Sequence, residues 1–181
     1  AQALRQHYIH NAGPAMTAGD INAILTLLEQ AVRDFNQAAV HLTDLPRAGI
    51  VGEIYAKYNY FANMNLAHWL ISKRVEPVIP PLVDYFIQDL VNYKENIKAG
   101  IGHRRLTDLL GLYFETRLGL YHRRVNRILS EFRFDVSFDD IRQVARQAQD
   151  ALSLVNQFGE GWLIPGEIGM FARQNVNTVI S

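Results

Sequence analysis

Three clusters of side chains have the types and spacing for chemistry. The first lies in residues 52–65, where Gly52, Glu53, Tyr55, Lys57, Asn59 and Asn63 form the densest group of hydrogen-bonding residues beside aromatic rings. It runs from the end of an apolar stretch into a helix start, where backbone N–H groups favour anions. A phosphate-bearing or carbonyl ligand would suit such a place; the blander reading has the asparagines capping and the tyrosines packing. The glycine spacing is neither the dinucleotide fingerprint nor a P-loop. The second cluster, residues 159–167 (GEGWLIPGE), places Glu160 and Glu167 around the entrance of a helix. Paired acids can do general acid–base work, yet Glu160 also suits a solvated turn and Glu167 the positive end of a helix dipole. The third, residues 94–133, holds nine Lys+Arg against four Asp+Glu. Without a nucleic-acid-binding motif it reads as a solvated helix face. The six histidines show no H-E-x-x-H spacing, and no G-x-S-x-G occurs. No metal ligand set and no catalytic residue are assigned.

The elements that must position these clusters follow from periodicity. Residues 1–16 are polar, with Gly13 and Pro14, and read as a frayed start. Thr17 looks like an N-cap for a long amphipathic helix over 21–42, ended by Asp44 and Pro46. Residues 48–54 read as a buried strand, 55–61 as a polar and aromatic loop, and 62–73 as a helix. Residues 75–79 read as a second strand, kept at a sheet edge because Pro77 cannot donate to a ladder. Strand, helix and strand within this length make a βαβ unit. Helices are expected over 82–98 and 106–129. A short strand or an aromatic-pinned loop follows over 132–138, then a helix from a cap at 137–140 to about Val155. Pro165 fits the first turn of a last helix, Asn175 its left-handed stop, and 178–180 a third strand.

The expected fold is therefore α/β: a small parallel, flavodoxin-like or Rossmann-like sheet of order 2-1-3. A long helical segment, 82–157, is inserted before the last strand as a subdomain of the single domain 1–181. An apolar strand at the chain's end suggests a piece of a longer protein. Composition agrees with a globular fold: 49% of residues are apolar and 20% charged, which excludes a disordered or collagen-like chain. Eighteen basic and eighteen acidic residues cancel, so no global field attracts nucleic acid or an acidic membrane. The absence of cysteine excludes disulfides, thiolate metal sites and a cluster ligated by this chain's own cysteines. No apolar run approaches the roughly 20 residues of a membrane span.

Residues 50–65, IVGEIYAKYNYFANMN, resemble part of the C-terminal, dehydratase-like region of the large activator proteins of 2-hydroxyglutaryl-CoA dehydratase, the CoA-substrate-specific enzyme activase group. Residues 159–167 and 174–181 (QNVNTVIS) are similar to the next two blocks of that family, in the same order. The resemblance covers about residues 20–181. It implies an actin-like ATPase region ahead of this part, Rossmann-like layers within it, and a cytoplasmic location. Characterised members couple ATP hydrolysis to one-electron transfer from an iron–sulfur cluster to a dehydratase, which then removes water from a 2-hydroxyacyl-CoA. The implied partners are other domains of a parent chain and such a dehydratase, with no nucleic acid and no membrane. The resemblance implies ATP and the cluster for the full-length protein only: the Pro-Phe-Gly-Cys block that follows the last strand in the family would fall after Ser181. This chain is thus expected to be a scaffold or docking part that is not catalytic alone. The alternatives are a dehydratase-like subunit with an acyl-CoA crevice and a free small-ligand-binding module.

The switch-point rule for parallel sheets predicts that segments 52–65 and 159–167 converge at the carboxyl ends of the strands. Gly52, Glu53, Tyr55, Lys57, Asn59, Asn63, Glu160 and Glu167 are then the candidate ligand-binding residues. Lys57 is the one cation expected there, offsetting the acids or meeting an anionic ligand. As loop residues, Lys57 and Asn63 are expected to tolerate alanine within a few degrees of melting temperature.

Overall fold

The computed structural model describes residues 2–38, 45–103, 108–134, 136 and 138–181, with the backbone alone for 108–110 and 112. In chain order the elements are α1 (Gln2–Ala18), α2 (Ile21–Gln37), β1 (Arg47–Ile50), α3 (Ile54–Tyr58), α4 (Leu66–Ser72), β2 (Glu76–Val78), α5 (Leu82–Lys98), α6 (Asp108–Leu129), α7 (Ile141–Ala148), α8 (Leu163–Arg173) and β3 (Thr178–Ile180). The three strands form one parallel sheet of order β2-β1-β3, within a chain that is mostly helical. Ala48 pairs with Pro77 on one side of β1 and with Thr178 on the other. β2 lies at an edge, as Pro77 requires. No helix among the described residues is long and apolar enough to cross a membrane.

Contacts divide the chain into two units, 1–42 with 113–138 and 43–112 with 139–181. The expected helical subdomain 82–157 is accordingly shared between both. In the first unit, Leu25 and Val32 of α2 are buried with Ile128 and Leu129 of α6. The polar start is no frayed tail: α1 is helical through Pro14, although none of its residues is buried. It is fixed to α2 by the Tyr8 hydroxyl, which donates to Asp34 Oδ2 at 2.5 Å. Thr17 belongs to α1, and its hydroxyl donates back to the Gly13 carbonyl. The cap of α2 is instead Asp20, which accepts from Ala23 N at 3.0 Å. The expected end of that helix, residues 39–44, lies outside the described residues, as do Leu106 and Ser137. Described residues between α6 and α7 form no strand; Phe132 and Phe134 meet edge to face, and Asn126 exchanges two hydrogen bonds with the Phe138 backbone.

In the second unit β1 is covered on both faces. Ala48 and Ile50 are buried with Leu70 of α4, while Val51 is buried with Phe171 of α8 and with Val176. That alternation is the two-residue period of a strand. Gly49 is required by the second face, because a Cβ there would sit 2.3 Å from the Phe171 ring. The largest buried cluster joins α7 and α8 around Trp162, whose Nε1 donates to Asn92 Oδ1 of α5 at 2.7 Å. α7 ends at Ala148, earlier than periodicity suggests. Asn175 adopts the left-handed conformation expected of it.

Candidate functional site

β1 delivers its chain to the carboxyl end of the sheet, where Val51 N donates to the Ile180 carbonyl of β3 at 3.0 Å. Gly52 then turns with φ +130°, a conformation open to glycine and strained for other residues. What was expected as a loop begins with the single helical stretch α3. Glu53 caps it, accepting from Tyr55 N at 3.1 Å and Ala56 N at 3.4 Å. From a remote part of the chain, Glu160 Oε1 accepts from Ile54 N at 2.6 Å. The N–H groups that favour an anion are therefore already met by two carboxylates of the molecule itself.

One turn further, Lys57 points inward. Its Nζ donates to Glu167 Oε1 at 2.6 Å, and the two residues are only 4% and 3% exposed. Segments 52–65 and 159–167 thus converge, through the Glu160 and Glu167 contacts. Lys57 offsets an acid, as one expectation had it; its tolerance to alanine does not survive, because the pair is buried. Asn59 Oδ1 accepts from Phe61 N and Ala62 N at 2.9 and 3.1 Å, shaping the turn after α3. Asn63 donates to the Lys57 carbonyl and accepts from Leu66 N, both at 3.3 Å, and so joins α3 to the start of α4. Tyr55 is exposed, and Glu53 serves the α3 cap from an exposed position. Glu53, Lys57, Asn59, Asn63, Glu160 and Glu167 therefore each have a structural employment at the strand ends, and the Tyr55 side chain stands in solvent.

The structure adds residues that the sequence reading passed over. Asp84 and Gln88, four apart on α5, are buried, and Tyr58 donates its hydroxyl to the Pro80 carbonyl just beyond β2 at 2.7 Å. Both polar residues of α5 sit beside its inward positions Ile87 and Val91. A polar pair one turn apart next to an apolar stripe was the available signal. Burial raises the Asp84 carboxyl to about 7, reinforced by Glu167 and only partly relieved by Lys57. Burial likewise raises Glu167 to about 7, against the stabilising Lys57 charge and with added repulsion from Glu160. The Tyr58 phenol is raised chiefly by burial, then by the Glu167 and Asp84 charges. Among the described residues no group of three or more His, Cys, Asp or Glu side chains could hold a metal ion.

Around this buried polar end, large apolar side chains stand in solvent. Phe61 and Met64 are 89% and 88% exposed on the turn between α3 and α4, and Phe158, two residues before Glu160, is 97% exposed. Met64 and Asn65 hold that turn in left-handed backbone, with φ of 50° and 57°. Compared with protein-family models, curated proteins and solved structures, the chain matches none of them.

Proposed function

We propose that this chain is a scaffold and partner-docking part of an activator protein for 2-hydroxyacyl-CoA dehydratases, cytoplasmic and not catalytic alone. The observation that supports the reading is the placement of the three segments that carry the family resemblance. Segments 50–65, 159–167 and 174–181 meet at one end of the sheet, through the β1–β3 pairing and the Glu160 and Glu167 contacts. On this reading the sheet is a small Rossmann-like layer, and its carboxyl end holds a rigid base beneath the exposed Phe61, Met64 and Phe158. Exposed apolar groups of that size are what a protein partner covers. Gly52, Glu53, Tyr55, Lys57, Asn59, Asn63, Glu160 and Glu167 then act mainly by fixing this surface.

The family's iron–sulfur cluster does not fit the residues of this chain, which has no cysteine to ligate it. Cluster and ATP would be held elsewhere in a larger protein, and the chain's part is to dock. The test is surface-immobilised chain probed with purified 2-hydroxyglutaryl-CoA dehydratase. Saturable binding that weakens at least tenfold in a Phe61→Ser, Met64→Ser double variant supports docking. No dehydratase binding, together with saturable binding of acetyl-CoA, would replace it by the acyl-CoA reading. Iron–sulfur absorption or ATP turnover by the chain alone would also overturn the proposal.

A further inference from the structure

At the end of the sheet the charges do not balance. Among the described residues the buried charged side chains are Lys57, Asp84, Glu160 and Glu167: three carboxyl groups and one ammonium. Glu160 accepts a hydrogen bond from Ile54 N at 2.6 Å, which takes the place of water on that carboxylate. Glu167 gives Oε1 to Lys57, while its Oε2 is buried and without a hydrogen-bond partner. Asp84 lies in the first turn of α5, where the helix dipole favours its ionised form but supplies only part of a charge. One ammonium therefore stands with two carboxyl groups on residues that are each at most 4% exposed. A second buried negative charge there is costly, and such a group neutralises instead.

We propose that the Lys57–Glu167–Asp84 cluster takes up one proton from solvent on folding, so that its two carboxyl groups together carry a single negative charge matched by the Lys57 ammonium. The groups that face this cluster agree. Tyr58 on α3, Glu160 in the turn before α8, and Asp139 and Asp140 ahead of α7 are neutral or acidic; Gln88, one turn along α5, is uncharged. Lys57 is the cation that acts on both carboxyl groups, while the Arg142 guanidinium on α7 stands 3.7 Å from Asp140 Oδ1. The proton belongs to the pair, because the Glu167 charge raises Asp84 and one ammonium is left for the two buried carboxyl groups. Burial raises both carboxyl groups above their ordinary range, so the folded chain keeps the one shared proton at pH values where the unfolded chain has lost it. Above neutrality the proton leaves, the cluster gains net negative charge, and the tie between α3 and α8 loosens beneath the aromatic turn. This inference concerns the chain alone and does not depend on the docking partner.

The test is carried out on the full chain. Urea unfolding followed by tryptophan fluorescence should give a folding constant that falls about tenfold for each unit of pH between 5 and 7, the slope of one proton. Glu167→Gln and Asp84→Asn should each flatten it, because the remaining carboxyl group is then matched by Lys57. Infrared difference spectra of the native protein supply a readout that needs no variant: a protonated-carboxyl band present at pH 6 should disappear by pH 9. Absence of that band, its survival in either variant, or a slope near a hundredfold per unit would each overturn a single shared proton.

Discussion

Along α8, Leu163, Gly166 and Met170 face α7, whereas Ile164, Glu167 and Phe171 face β1 and α3. The first side is fixed by shape. A Cβ on Gly166 would lie 2.6 Å from the Val144 carbonyl oxygen, and one on Gly169 2.7 Å from Gln147 Cβ, so the two helices touch almost backbone to backbone. The second side combines an aromatic ring on a glycine with a buried ion pair. Close apolar packing has nothing to titrate. A buried ion pair holds only while its charges are matched, and desolvation offsets much of its attraction. One helix thus has an unconditional attachment and one that depends on its protonation state.

The largest effect that separates the two sides is expected from Lys57→Ala. At pH 8 it leaves the Glu167 carboxylate buried and unmatched, a loss of about 3–5 kcal/mol. At pH 5 Glu167 takes a proton and the loss should shrink; a denaturation series over that range measures both, and an equal loss at the two pH values breaks the distinction. Replacing both partners, as Lys57→Met with Glu167→Leu, should recover most of the stability at pH 5, where the buried Asp84 takes a proton, and less at pH 8, where Asp84 is left without its cation.

On the other side, Gly166→Ala should cost about 1–2 kcal/mol net, since overpacking against Val144 exceeds alanine's helical advantage. This cost should be the same at pH 5 and pH 8. Any strong pH dependence would show that the two faces of α8 are not independent. Asn63→Ala comes next, with an expected loss of roughly 1 kcal/mol from the missing bond to Leu66 N. The smallest change belongs to Phe61→Ser and Met64→Ser, within about 0.5 kcal/mol by thermal unfolding, because both side chains stand in solvent. Those two should nonetheless show the largest effect on dehydratase binding, which would separate what the site supports from what it presents.

Strand order, parallel pairing and the edge position of β2 were readable from β-branched runs, the βαβ length and Pro77, because these features act locally. α5 was readable for the same reason, its period unbroken from Leu82 to Lys98. α1 was not: it has no apolar stripe, and its anchor is Tyr8 reaching Asp34 on another helix. α3 was hidden because its caps are Glu53 and Glu160, the second brought from far along the chain. The convergence of 52–65 with 159–167 followed from where parallel sheets end their strands. The burial of Lys57 did not, since a lysine in a polar stretch carries no sign of an acid waiting more than a hundred residues away.

The pairing of β1 with β3 also has a consequence for assembly. β1 receives β2 from nearby sequence, but its other edge is completed by Thr178–Ile180, the last strand along the chain. During synthesis the central strand is an open edge until the chain has been made through Ile180. Such an edge is a template for pairing with another chain, and closing it late requires a long loop to be brought together. Its short length of four residues and its cover by α4 limit the exposure. Yield on expression should therefore respond to changes in Thr178, Val179 and Ile180 more than their modest burial suggests.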